Sequence, residues 1–155
     1  MDFIEAVKKN DVSLIKQLIS EGADINVQDK RGFTPLLITI FGGNPALAEF
    51  LITAGANVNI ADKDNYTPLM VTVRYNYVWI AKMLIKSGAN VNAQDAGGKT
   101  ALMWTTLYDY PLQMAELLIE AGADVNIKNK KGQTVFDFAI MEDKSELINL
   151  LKKCK

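Results

Sequence analysis

The chain contains no histidine. That absence removes the imidazole on which Ser-His-Asp triads, Cys-His nucleophiles and many zinc sites depend. Cysteine occurs once, at Cys154, so no intrachain disulfide can form and nothing in the fold requires an oxidising compartment. Long apolar runs are missing as well, since no stretch approaches the roughly 20 residues of a membrane span. The opening residues, Met1-Asp2-Phe3-Ile4-Glu5-Ala6, carry acids where a secretory leader carries its basic segment. Nor does charge of one sign dominate. Against 17 basic residues stand 18 acidic ones, a formal net charge of -1 that gives no overall field to attract nucleic acid or an anionic membrane. These absences lead us to expect a soluble cytosolic chain with no cofactor, no metal, no membrane and no nucleic acid among its partners.

What is present is a repeat. Gly-Ala recurs at Gly22-Ala23, Gly55-Ala56, Gly88-Ala89 and Gly122-Ala123, in steps of 33, 33 and 34 residues. Three further ladders keep the same steps. One runs through Thr34-Pro35-Leu36, Thr67-Pro68-Leu69, Thr100-Ala101-Leu102 and Thr134-Val135-Phe136; another is Asn26, Asn59, Asn92 and Asn126; the last is Asp29, Asp62, Asp95 and Asn129. A length of 155 residues suits one domain built from such units.

Each unit has a physical reading. Asp-x-x-Gly is turn chemistry, because Asp bonds nearby backbone and Gly accepts positive φ; it predicts a hairpin-like finger at 29–32, 62–65, 95–98 and 129–132. Thr then Pro starts a short first helix, with the hydroxyl as N-cap and the proline where its missing N–H costs nothing, as over 35–41. A second helix carries Leu47, Leu51 and Ile52, repeated as Ile80, Leu84, Ile85 and as Met114, Leu118, Ile119, an i, i+4, i+5 stripe that predicts the core. Gly55, Gly88 and Gly122 end these helices in a left-handed conformation. The ends differ. At the start, 3–10 and 11–20 supply two helices without a finger, Leu14, Leu18 and Ile19 matching the later stripe. At the finish, Leu147, Ile148 and Leu151 face the stack and Lys152, Lys153 and Lys155 face water, the pattern expected of a complete small protein.

These residues resemble the ankyrin repeat, whose pattern runs Asp-x-x-Gly-x-Thr-Pro-Leu-His and later Leu-Leu-x-x-Gly-Ala-x-Val-Asn. The resemblance spans residues 3 to 152. It implies an all-α solenoid, a single ankyrin-repeat domain over 1–155 with about five helix-turn-helix units (1–28, 29–61, 62–94, 95–128, 129–155) and hairpin-like finger loops. It also implies a protein-protein interaction module without catalytic activity, its partner gripped by finger tips and the concave face of the first helices. Three departures stand out. The family's histidine is replaced by Leu37, Met70, Met103 and Asp137, so apolar packing has to substitute for any bonding it supplies. Asn65 replaces the finger glycine of the third unit, which positive φ tolerates. The one extra residue of the 34-residue step lies within Asp109-Tyr110-Pro111-Leu112-Gln113, predicting an irregular turn.

In the ankyrin pattern the concave surface is lined by the residues after Leu37, Met70 and Met103 and those three and four later. Here these are Glu5, Lys8, Lys9, then Ile38, Phe41, Gly42, then Val71, Arg74, Tyr75, then Trp104, Leu107, Tyr108, and last Phe138, Met141, Glu142. From the second unit onward this face is apolar and aromatic, and Phe33 and Tyr66 extend it from matching finger positions. The partner-binding candidates are therefore Phe33, Phe41, Tyr66, Arg74, Tyr75, Trp104, Leu107, Tyr108, Phe138 and Met141, residue types enriched at hot spots. The bland alternative is that they pack a small solenoid. The partner expected is another protein of unnamed identity, bound by a monomer acting as adaptor or inhibitor; the alternative is small-molecule or carbohydrate recognition by the same aromatics. Lys30, Arg31, Lys63, Lys99, Lys130 and Lys131 form a row of finger cations. Tyr77, Trp79 and Tyr110 are candidates for a second, smaller aromatic cluster near the helix-helix turns. Gly42-Gly43 lacks the lysine of a phosphate loop, and Gly97-Gly98, although followed by Lys99, lacks its strand context.

Overall fold

The computed structural model describes residues 2–109 and 112–154. Among them lie ten α-helices in five antiparallel pairs and no strand. They are α1 (Phe3–Lys8) with α2 (Val12–Ser20), α3 (Pro35–Phe41) with α4 (Pro45–Thr53), α5 (Pro68–Tyr75) with α6 (Val78–Lys86), α7 (Ala101–Trp104) with α8 (Gln113–Glu120), and α9 (Val135–Met141) with α10 (Ser145–Lys152). The odd-numbered helices pack on one another in series, and α4, α6 and α8 form a second layer behind them.

The sequence signals act as local chemistry dictates. Thr34, Thr67 and Thr100 sit in extended conformation, and their hydroxyls accept from the backbone N–H of Leu37, Met70 and Met103 at 3.2 to 3.3 Å. Each such cap contributes about 1 kcal/mol. In the last pair the family's histidine position holds Asp137, which turns back so that its carboxylate accepts from the Thr134 N–H at 2.7 Å and the Thr134 hydroxyl at 2.9 Å. Leu37, Met70 and Met103, at the other three histidine positions, are almost fully buried. Gly88, at φ +87°, closes α6 in a Schellman motif: its N–H donates to the Ile85 carbonyl and the Ala89 N–H to the Leu84 carbonyl. The small apolar alanine of every Gly-Ala pair is the residue this motif sets against the helix.

One continuous core runs from Phe3 to Leu151. Its register differs from the predicted stripe. Leu47, Leu51, Ile80, Leu84, Met114 and Leu118 are buried, but Ile52, Ile85 and Ile119 are only half-buried. The third buried position is the next residue along, Ala48, Ala81 and Ala115, at 0 to 2 % exposure. A methyl group there lets neighbouring helices approach. In the first pair Ile15 takes that place and is fully buried, while Leu14, Leu18 and Ile19 are half-buried. At the other end Ile140 is 65 % exposed, although its counterparts Ile40, Val73 and Thr106 are at most 1 % exposed. Each counterpart is covered by the following pair, and no described residue packs beyond α9.

Fingers join the pairs sideways. The Asp29, Asp62, Asp95 and Asn129 side chains each accept two backbone N–H groups of their own turn. Successive turns are linked by backbone bonds from Lys63 to Arg31, Ala96 to Asp64 and Lys130 to Gly97. The asparagine ladder has the same purpose. Asn26, Asn59 and Asn92 accept from the N–H of Asn57, Asn90 and Asp124 in the next unit at 2.7 to 2.8 Å, and Asn59 and Asn92 also donate to the carbonyls of Gly88 and Gly122. In the fourth pair, where the extra residue was expected to disturb the turn, the helix tightens into a 3-10 turn over Thr105–Leu107 and Tyr108 is extended at φ -127°. Tyr110 and Pro111 lie outside the described residues.

Candidate functional site

The finger turns and the first helices share one face, and on it the aromatic side chains meet in two groups. Phe33, at the base of the second unit's finger, stacks on Phe41 at the end of α3 with ring centroids 5.0 Å apart. Phe41 meets the edge of Tyr75 in the next unit at 6.2 Å, and Tyr75 stacks on Tyr77 at 5.5 Å. The Arg31 guanidinium lies 4.3 Å from the Phe33 ring centre and that of Arg74 lies 5.8 Å from Tyr75. In the second group Tyr66 meets Trp104 edge-on at 5.4 Å across a unit boundary. The Lys99 ammonium stands 5.0 Å from Trp104 and 5.6 Å from Phe138.

Trp104 is neither bare surface nor core. It is half-buried, and its indole N–H donates to Asp95 Oδ2 at 3.0 Å. The Asp95 carboxylate therefore serves finger and indole together, because its other oxygen accepts the N–H groups of Gly97 and Lys99. Tyr66 is half-buried as well; burial, with the charges of Asp95, Asp64 and Asp62, pushes its phenol above the ordinary value. Asp29 lies under competing influences. Burial raises its pKa, but the backbone N–H groups of Phe33 and Arg31 and the charges of Arg31 and Lys8 outweigh that and hold it below the usual carboxylate value.

The ten candidates thus fall in different settings. Phe33, Phe41, Tyr66 and Trp104 are half-buried in ring contacts, Tyr75 is 38 % exposed, and Arg74 is exposed beside it. Phe138 is 8 % exposed and lies beneath Lys99. Leu107, in the 3-10 turn, is half-buried. Met141 is 65 % exposed at the far edge, where its sulfur accepts from the Gln133 amide at 3.4 Å. Tyr108 is half-buried and lines a different feature. This is a cleft of about 370 Å³ at the turns of the fourth and fifth pairs, bounded also by Asp109, Leu112, Lys144 and Glu146. There Lys144 donates to the Tyr108 carbonyl and pairs with Asp109.

Three contributors were not among the candidates. Arg31 and Lys99, counted among the finger cations, lie across aromatic rings, and Tyr77 continues the first aromatic group instead of forming another with Trp79. Their sequence signal is faint: Arg31 and Phe33 are two residues apart, Tyr75 and Tyr77 two, and Lys99 and Trp104 five, separations that predict contact only once the finger and helix geometry is known. Tyr110, proposed for that second cluster, lies outside the described residues. Among the described residues no group of three His, Cys, Asp or Glu side chains could hold a metal ion, and no helix is long and apolar enough to cross a membrane.

Comparison with known proteins agrees with the repeat chemistry. Residues 3–95 match the family description Ankyrin repeats in three copies, and residues 97–130 match a further Ankyrin repeat. No curated protein matches the chain. The α9–α10 pair lies beyond the matched residues, yet it repeats the threonine start and adds to the same core. With period, caps, finger bonds and family match in accord, the chain belongs to the ankyrin-repeat family, whose members are generally protein-protein interaction modules.

Proposed function

We propose that the chain is a non-catalytic protein-binding module, an adaptor or inhibitor, that takes its partner on the concave face formed by the fingers and first helices. The observation that carries this reading is the contiguity of the aromatic contacts across units, from Phe33 through Phe41 and Tyr75 to Tyr77 and from Tyr66 to Trp104. Rings already fixed against one another lose little freedom on binding, and Tyr, Trp and Arg dominate interface energetics. Small-molecule or carbohydrate recognition by the same face is the second reading; such ligands favour enclosing pockets, and the clefts of about 370 and 640 Å³ lie at the helix-helix turns, where Tyr77 lines the second.

Affinity capture from the native lysate tests the reading, with a folded Tyr75→Ala/Trp104→Ala variant as the control. A protein retained by the wild type and lost by the variant is the expected result. Retention of the same proteins by both would place the partner surface elsewhere.

A further inference from the structure

The charges on this face are not balanced in what they offer a visitor. The carboxylates at the finger bases are spent internally, and the exposed finger acid is Asp64, in the third unit, between the fingers of Arg31 and Lys99. Asp62 and Asp95 are 9 % and 7 % exposed and bind two backbone N–H groups each, Asp95 taking the Trp104 indole in addition. Asp29, with a side chain only 14 % exposed, does the same for its own finger. The cations are held differently. Arg31 has a side chain 68 % exposed and rests 4.3 Å from the centre of the Phe33 ring, with Asp29 only at 3.9 Å. A guanidinium has five N–H donors, and a ring contact of this kind consumes none of them as a hydrogen bond. Lys99 stands over Trp104 and Phe138, with no carboxylate in ion-pair reach among the described residues. The units from Arg31 to Lys99 carry both ring groups, Phe33, Phe41 and Tyr75 in one and Tyr66 and Trp104 in the other.

Resting on the reading of this face as a protein-binding surface, we propose that its occupant is an extended acidic segment of the partner, with one carboxylate on Arg31 and another on Lys99 and apolar side chains on the rings between. Arg31 belongs to the second unit's finger and Lys99 to the fourth's. Two steps between packed helices, at 8–10 Å each, cover roughly 16–20 Å. An extended chain covers that in about five or six residues at ~3.3 Å each. The segment therefore carries two acids about that far apart around an apolar stretch. The guanidinium takes one carboxylate bidentately and the ammonium takes the other as a point charge.

The test is selection of a phage-displayed random dodecapeptide library on the full chain, followed by fluorescence anisotropy with the selected peptides. Three variants are run beside the wild type after circular dichroism shows them folded: Arg31→Gln/Lys99→Met, Tyr75→Ala/Trp104→Ala, and Lys130→Ser/Lys131→Ser as a control for finger charge in general. The expected outcome is peptides with paired acids flanking apolar residues. Binding should fall about tenfold or more when those acids become amides or when Arg31 and Lys99 are changed, should weaken with salt, and should survive in the Lys130/Lys131 control. Neutral or basic peptides that depend on Tyr75 and Trp104 would overturn the acidic occupant and leave the protein-binding face standing. Peptides indifferent to Tyr75 and Trp104 would overturn both. Failure to enrich any sequence would count against an occupant that a short extended segment can represent.

Discussion

The lateral bonds between fingers can be weighed by comparing the same substitution at two glycines. Gly98 has φ +80°, and a Cβ built on it comes within 2.8 Å of the Lys130 nitrogen and 3.1 Å of the Asn129 carbonyl carbon and Cα in the next finger. Gly132 has φ +76° and the same place in its turn, but a Cβ there meets nothing within 4 Å. Gly132→Ala therefore carries the backbone strain alone, about 1–2 kcal/mol for an L-residue in the left-handed region. Gly98→Ala carries that strain and also displaces the Lys130 N–H from the Gly97 carbonyl, 3.0 Å away, a bond with a net contribution of about 1 kcal/mol. The expected losses are about 1–2 kcal/mol at Gly132 and about 2–3 kcal/mol at Gly98. That difference corresponds to roughly 2–4 °C in a domain of this size. Asn65, the natural residue at this place in the third unit's finger, has φ +61° and keeps the Ala96 to Asp64 bond at 2.9 Å, so a modest backbone rotation accommodates a side chain. Gly98→Asn is accordingly expected to lose less than Gly98→Ala. Urea unfolding followed by circular dichroism measures all three, with a constant m-value required before midpoints are compared. Equal losses for the two alanine variants would refute a stabilising contact between fingers.

Gly88→Val should cost about 1–3 kcal/mol from strain alone, because space is open around its Cβ position; an unchanged melting temperature would refute the Schellman cap. Asn92→Ala removes an acceptor for Asp124 and a donor to Gly122, and a loss of about 1–2 kcal/mol is expected, read from the urea midpoint. Trp104→Ala should lower stability by about 2 kcal/mol, less than the roughly 3–5 kcal/mol of a fully buried ring, while Trp104→Phe, which keeps packing but strands Asp95 Oδ2, should lose about 1 kcal/mol; a greater loss for Phe than for Ala would refute the packing share. With no histidine, the melting temperature should stay nearly flat between about pH 6 and 8. Asp29, Asp109 and Asp137 have pKa values lowered from 3.8, so their contribution is complete above that value and is lost as pH falls below it through the folded-state values. A melting temperature that fell before pH 4 was reached would refute this assignment, and Asp137→Asn should reduce the acid-side loss.

The parts of the fold that were legible in the sequence are those set within four or five residues. A threonine oxygen reaches the N–H three residues on, and a C′ glycine closes the turn it follows, so Thr34 and Gly88 announce themselves without any neighbour. The core register was harder to read, because Ala48, Ala81 and Ala115 contribute little apolar area and so leave hardly a trace in a hydrophobic stripe. Their value is the close approach they permit. The asparagine ladder was visible as a period, but its purpose was not, since Asn59 acts on residues 29 and 31 positions away.

On the candidate face the limit is of another kind. Ile38, Val71, Trp104 and Phe138 occupy one equivalent position in four units, yet the first and third are half-buried and the second and fourth are buried. The repeat sets where each Cβ starts; what covers the side chain is decided by a neighbour the repeat does not specify. Phe138 is covered in part by Lys99 of the preceding finger, where the matching finger residues in other units are Phe33, Tyr66 and Gln133. Trp104 is drawn down onto Asp95 because only an indole at this position has a donor to give that carboxylate. Variation at equivalent positions is thus what turns a periodic scaffold into a particular surface. The cation-over-ring contacts at Arg31 and Lys99, which no other unit reproduces at the same pair of positions among the described residues, are two such variations.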